Sequence, residues 1–212
     1  MSEAMRQTVF DIWRILTQGG WVMGAIFLAG QLGWFLILER WWHYRKMDGK
    51  AHRYLDRTRA GEDPAAALES AHVSRGLFGQ VAKAIRDARN GGQEAMIMKT
   101  REIMHEHVPA LSRHLGTLAV LAGVAPLLGL AGTVIGIMQT FKVITLYGAG
   151  NPSMMAGGIA QALMVTEAGL VVAFPMLICH DHLQKRADAI EDECVAGATL
   201  LIRKYAEKGL AA

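Results

Sequence analysis

LGTLAVLAGVAPLLGLAGTVIGIMQTF, residues Leu115–Phe141, is a run of 27 residues without a charge, ended by Lys142. A helix crosses a bilayer with about 20 predominantly apolar residues, because no water is there to satisfy an open backbone. At ~1.5 Å per residue the run is about 40 Å long and outreaches the hydrocarbon core. Its interior is unlike that of a simple anchor. Ala125, Gly129, Gly132, Gly136 and Thr140 recur every three or four residues and form one face almost without side chains. Small residues at this spacing let two backbones approach closely, which is how helices associate where lipid removes the hydrophobic drive. Thr133 places a hydroxyl beside that face, and Pro126 removes a backbone donor, predicting a kink near Ala122. The segment is expected to be buried against protein.

Working outward, the 212 residues are 52% hydrophobic with a net charge of only +3, which suits an integral membrane protein and gives no basic footprint for nucleic acid. Residues 18–39 form the first expected span, with Trp21 at one end and Trp41, Trp42 and Tyr44 past the other as an aromatic belt. Residues 1–17 before it read as an amphipathic helix at the membrane surface. Residues 40–114 are polar and helical in pattern. There Asp63-Pro64 marks a helix start and Gly91-Gly92 a break, and periodicity resumes at Gln93 towards the 115–141 span with Pro109 as the interruption. Residues 142–156 form a short loop, 157–180 the third span and 181–212 a charged helical tail continuous with it. The stretch from Glu39 to His114 and the tail hold 19 of the 22 Lys and Arg residues, whereas the loop between the last two spans holds one. By the positive-inside rule the N-terminus faces out and the C-terminus in. The expected fold class is an all-α integral membrane protein with three transmembrane helices and long cytoplasmic helical extensions.

The third span repeats the small-residue device: Gly158, Ala162, Thr166, Gly169 and Ala173 form a stripe that matches the one at 125–140, and Pro175 lies near its inner end. The two helices are expected to be antiparallel neighbours joined by a short loop, with their stripes giving lipid-shielded surfaces for closing a ring of subunits or lining its central cavity. Counted from the outer ends of the two uncharged runs, Thr133 and Thr166 fall about 12 Å inside, at one depth. Each hydroxyl has two readings, a bond back to the carbonyl one turn earlier or a polar lining. Glu167 is a carboxylate in mid-span, which costs several kcal/mol on insertion scales unless it is protonated, paired or wetted. It is expected to serve an ion pathway or to contact a neighbouring helix or subunit. It lies about 140° around the helix from the stripe, while Gln161, about 100° away on the other side, could bond across an interface; both are counted with Thr133 and Thr166 as ion-pathway candidates.

Ala125–Ile137 (APLLGLAGTVIGI) with Gly158–Pro175 (GIAQALMVTEAGLVVAFP) resembles the signature pair of the MotA/TolQ/ExbB proton-channel family. Three spans, the N-out topology and the large first cytoplasmic loop are similar to its ExbB/TolQ branch. The resemblance implies an inner-membrane homo-oligomeric ring, typically a pentamer, around a dimer of single-span ExbD/TolR-like partners. Proton flow between the partner's membrane aspartate and the ring's threonines, here matched by Thr133 and Thr166, would drive a TonB- or TolA-like protein. Where the family usually has a carboxylate this chain has Gln161, and Glu167 follows six residues later.

Other chemistry is thinly represented. His105 and His107, like His180 and His182, are two apart and point about 200° from each other on a helix, so neither pair easily chelates one metal ion. No G-x-S-x-G, H-E-x-x-H or P-loop is present, and no Ser or Cys at mid-membrane has a His nearby, so no enzyme and no cofactor are expected. The alternative to a proton-driven subunit is a passive oligomeric membrane scaffold, which would share the stripes without ion conduction.

Overall fold

Apolar runs with closely spaced small residues, bounded by turn formers, produce long helices and nothing else. A computed structural model of the chain describes residues 19–47, 54–57, 76–148 and 152–210, and every regular element among them is helical. These are α1 (Gly20–Met47), α2 (Leu77–Asp87), a 3-10 turn (Arg89–Gly91), α3 (Gly92–Ser112), α4 (Leu115–Tyr147) and α5 (Pro152–Leu210). Three of these helical stretches are long and apolar enough to cross a membrane, within Gly20–Arg45, Arg89–Tyr147 and Met155–Glu207. The expected surface helix at 1–17 and the helix start at Asp63-Pro64 lie outside the described residues.

The chain divides into two compact units. The first contains residues up to Ile37 and Gly116–His180, and the second Leu38–Leu115 and Asp181–Ala212. In the first unit, α1, α4 and α5 bury Val22, Met23, Ile26 and Val165 against Leu128, Ile135, Ala168 and Val172. Helices α4 and α5 run past the uncharged stretches, to Tyr147 and from Pro152, and α4 ends on Gly148 at φ 70, a left-handed cap that glycine adopts without penalty. Pro126 lies inside α4 and Pro175 inside α5, and both helices continue through them.

In the second unit, Leu77, Phe78, Val81, Ala82 and Ile85 put one apolar face on α2. The Tyr54 ring is fully buried with its centroid 4.9 Å from that of Phe78. Gly197 of α5 admits the same phenyl ring, since a Cβ there would stand 2.7 Å from Phe78 Cζ. Gly91 and Gly92 break the chain as their sequence predicts, Gly92 at φ 81. Pro109 does not interrupt the helix that follows. Instead α3 runs to Ser112 and stops at Arg113–His114, with His114 at φ 65, before α4 begins at Leu115.

The cause of that stop lies on α1. Arg40, only 4% exposed, donates from Nη1 to the Ala110 carbonyl at 2.9 Å, and Tyr44 donates its hydroxyl to the Leu111 carbonyl at 2.6 Å. The last carbonyls of a helix have no partner within it, so these two side chains cap α3 from outside. Burial pushes the Tyr44 phenol above its ordinary value, against the lowering effect of Arg40. His114 Nδ1 sits 3.3 Å from Glu39 Oε2 and 3.5 Å from Arg40 Nη2, closing the joint.

Candidate functional site

The two stripes meet each other. A Cβ added at Gly136 would lie 2.6 Å from Ala162 Cβ and 2.9 Å from the Gly158 carbonyl. One at Gly132 would meet Val165 Cβ at 2.8 Å, and one at Gly129 would meet Thr166 Cα at 3.1 Å. From the other side, a Cβ at Gly169 would stand 2.7 Å from the Ala125 carbonyl. Gly129, Gly132, Gly136, Gly158 and Gly169 are therefore consumed inside the subunit, in an antiparallel seam between α4 and α5. Such close approach replaces the hydrophobic drive with dispersion contacts between backbones. Thr140, buried, closes the Gly158 end and donates to the Gly136 carbonyl at 3.1 Å.

Thr166 stands on this seam. Its Oγ1 lies 3.0 Å from the Gly129 carbonyl on α4 and 3.3 Å from the Ala162 carbonyl on its own helix. Thr133 Oγ1 donates to the Leu130 carbonyl at 2.6 Å. Both hydroxyls thus donate to backbone, and both keep oxygen lone pairs that can accept a further proton donor. Because Thr166 pairs with Gly129, Thr133 stands four residues, about 6 Å, further along the seam towards Tyr147. The two are not at one depth. Counting from the ends of uncharged runs misplaces them, since the register is set where Gly136 meets Ala162 and Gly169 meets Ala125.

They do share a rim. Thr133 is about 40° around α4 from Gly129, and Thr166 about 40° around α5 from Ala162. The residues through which these helices meet the α1 cluster, Leu128 and Ile135 on α4 and Ala168 and Val172 on α5, lie on the opposite side of each stripe. Both threonines consequently border the α4–α5 seam on the side away from α1. Pro126 is half-buried about 60° from Gly129 on that same rim.

The other two candidates are elsewhere. Gln161 is half-buried on the α1 side, its side-chain amide beside Gly20 at the first turn of α1. Glu167 is exposed on the surface of α5 that touches neither α1 nor α4, and it makes no hydrogen bond or ion pair among the described residues. Also among the described residues, no three His, Cys, Asp or Glu side chains gather where they could hold a metal ion. The buried cap of Arg40 and Tyr44 escapes sequence reading. Its only local signal is that two hydrogen-bonding side chains four residues apart share one face just past the first span.

Residues 74–195 match the family described as the MotA/TolQ/ExbB proton channel family. The chain is 29% identical over 176 residues to the Tol-Pal system protein TolQ of Haemophilus influenzae, covering 76% of this chain and 77% of that protein. It is 30% identical over 187 residues to a putative biopolymer transport protein ExbB homolog of Methanothermobacter thermautotrophicus, covering 85% of this chain and 64% of that one. To the biopolymer transport protein ExbB of Salmonella typhimurium it is 25% identical over 196 residues, covering 85% of this chain and 80% of that relative.

Proposed function

The chain belongs to the MotA/TolQ/ExbB proton channel family, and we propose that it works as a ring-forming subunit of a proton-driven motor in the bacterial inner membrane. In this reading several copies, most simply five, surround a dimer of ExbD/TolR-like single-span proteins. Proton movement at the ring's inner surface is converted into motion of a TonB- or TolA-like protein that acts at the outer membrane. The N-terminus faces the periplasm and the C-terminus the cytoplasm, in keeping with 19 of the 22 basic residues lying in the stretch from Glu39 to His114 and the tail.

The observation that carries the proposal is the shared rim of Thr133 and Thr166. A subunit that turns the α4–α5 seam inward and α1 outward presents both hydroxyls to the ring axis, one turn apart. A threonine whose proton is engaged by backbone still accepts from a protonated carboxyl group, so a partner's membrane aspartate can dock there and leave again on losing its proton. Gln161, beside the first turn of α1, and Glu167, beyond the seam, lie off this route.

Thr133→Val and Thr166→Val test it, because Val fills nearly the same space without a hydrogen bond. Each variant is expected to assemble normally and to lose growth on a nutrient whose uptake depends on the proton motive force. Glu167→Gln is expected to impair growth less than either. If both Val variants assemble and support growth like the parent, the hydroxyls serve only the helix backbone and the passive scaffold reading replaces the motor.

A further inference from the structure

Glu167 is the one acidic or basic side chain in residues 115–141 and 157–178, and none of the described residues of its own subunit covers it. Helix α5 presents three sides. One meets α4 through Gly158, Ala162 and Gly169, and the next meets α1 through Ala168, Val172 and Met176. The third arc meets no other helix among the described residues. It is apolar, with Leu163 and Val171 each 65% exposed and Phe174 69% exposed, and Glu167 stands in its middle. Acyl chains suit the apolar residues of this arc but not a carboxyl group, which in a span turns towards protein or water.

We infer that this arc of α5 is the face that meets the next copy of the same chain, with Glu167 covered by that copy rather than turned to lipid or to the ring axis. The inference rests on the ring reading and goes beyond it by assigning the faces. Thr166 marks the rim of the seam, and Glu167, the next residue, points about 100° further round the helix, away from α1. If the seam faces the axis, the Glu167 arc faces sideways. A closed ring joins two different faces of each subunit, so this arc meets a different free face of its neighbour.

Depth then identifies that face. Rotation about the membrane normal leaves every residue at its own level, so Glu167 is covered by whatever the neighbour exposes at the level of Glu167. The seam pairs Gly129 with Thr166, Gly132 with Val165 and Gly136 with Ala162, which puts Glu167 level with residues 128–131 of α4. On the outward side of α4 that level holds Leu130 and Ala131, with Leu127 just beyond it, all exposed. Ala131, small among leucines, leaves room for a carboxyl group to reach the neighbour's backbone.

Cysteine cross-linking in membranes tests the assignment in the full-length chain with Cys179 and Cys194 replaced by Ala and the ring partner co-expressed. A disulfide requires Cα atoms within about 7 Å, so only true neighbours join. Leu163→Cys with Val134→Cys, a pair one turn from Glu167 on the same two arcs, leaves the carboxyl group in place. Glu167→Cys with Leu130→Cys probes the level itself. On mild oxidation each pair is expected to give a ladder of covalent oligomers that ends at the native ring size, while each single variant stays monomeric. Two results overturn the inference while leaving the ring reading intact. One is an intact ring by native mass spectrometry with no ladder from either pair. The other is Glu167→Cys alone joining to itself or to the single-span partner, which places residue 167 at the axis. A strictly monomeric native mass for the parent overturns the ring reading and the inference with it.

Discussion

Replacing Gly136 with Ala adds one methyl group where α4 and α5 nearly touch. The new carbon would lie 2.6 Å from Ala162 Cβ, 2.9 Å from the Gly158 carbonyl oxygen and 3.0 Å from Ala162 Cα. Favourable carbon contacts sit at about 3.5–4.0 Å, so the helices must part by roughly 1 Å at this level. Two of those three atoms belong to backbone and cannot swing aside. Parting also stretches the bond from Thr166 to the Gly129 carbonyl, now 3.0 Å. Overpacking of this kind costs about 1–3 kcal/mol, and the better helix propensity of Ala offsets at most about 1 kcal/mol. Gly157→Ala is the matched control: it makes the same change on α5, where nothing lies within 4 Å of the added carbon. The two variants should therefore differ by about 1–3 kcal/mol, a factor of about 5 to 150 in the folding equilibrium. Reversible unfolding in mixed micelles of increasing dodecyl sulfate content, followed by tryptophan fluorescence, measures that difference. Equal midpoints for Gly136→Ala and Gly157→Ala would refute the close α4–α5 seam and everything placed by its register.

Two further outcomes are expected in the second unit. Tyr44→Phe leaves the Leu111 carbonyl without its 2.6 Å donor in buried surroundings, which should cost about 1–3 kcal/mol and speed amide exchange in the last turn of α3 and at the Arg113–His114 break. Unchanged exchange there would show that the cap does not hold the joint. Cys194 is buried, and that burial, with Glu193 and Glu191 nearby adding to it, pushes its thiol up to about 12 from the usual 9.0. The folded state therefore keeps a proton that the unfolded state releases above pH 9, so stability falls as pH rises from about 9 towards 12, by up to about 1.4 kcal/mol per pH unit. Cys194→Ala should flatten that alkaline decline, as read from unfolding midpoints between pH 8 and 10, and maleimide should label Cys194 only on unfolding.

Much of this protein is legible from residue order alone because its elements are local and its solvent is apolar. An uncharged run of 27 residues has no conformation in hydrocarbon other than a helix, so three spans follow from counting. Glycines at three- and four-residue spacing define a face by helical geometry, and the likeness of Ala125–Ile137 and Gly158–Pro175 to a known signature pair names the family before any coordinate is seen. What faces what is another matter. That the stripes are spent on each other, that Thr133 stands a turn beyond Thr166, and that both border the side away from α1 depend on a register set by contacts such as Gly136 with Ala162 and Gly169 with Ala125. The stop at Arg113–His114 depends on Arg40 and Tyr44, 70 and 67 residues from the carbonyls they cap. Periodicity tells which side of a helix is special, but it carries no record of the neighbour that side will meet, because that neighbour is chosen by shape and hydrogen bonding between segments far apart in the chain.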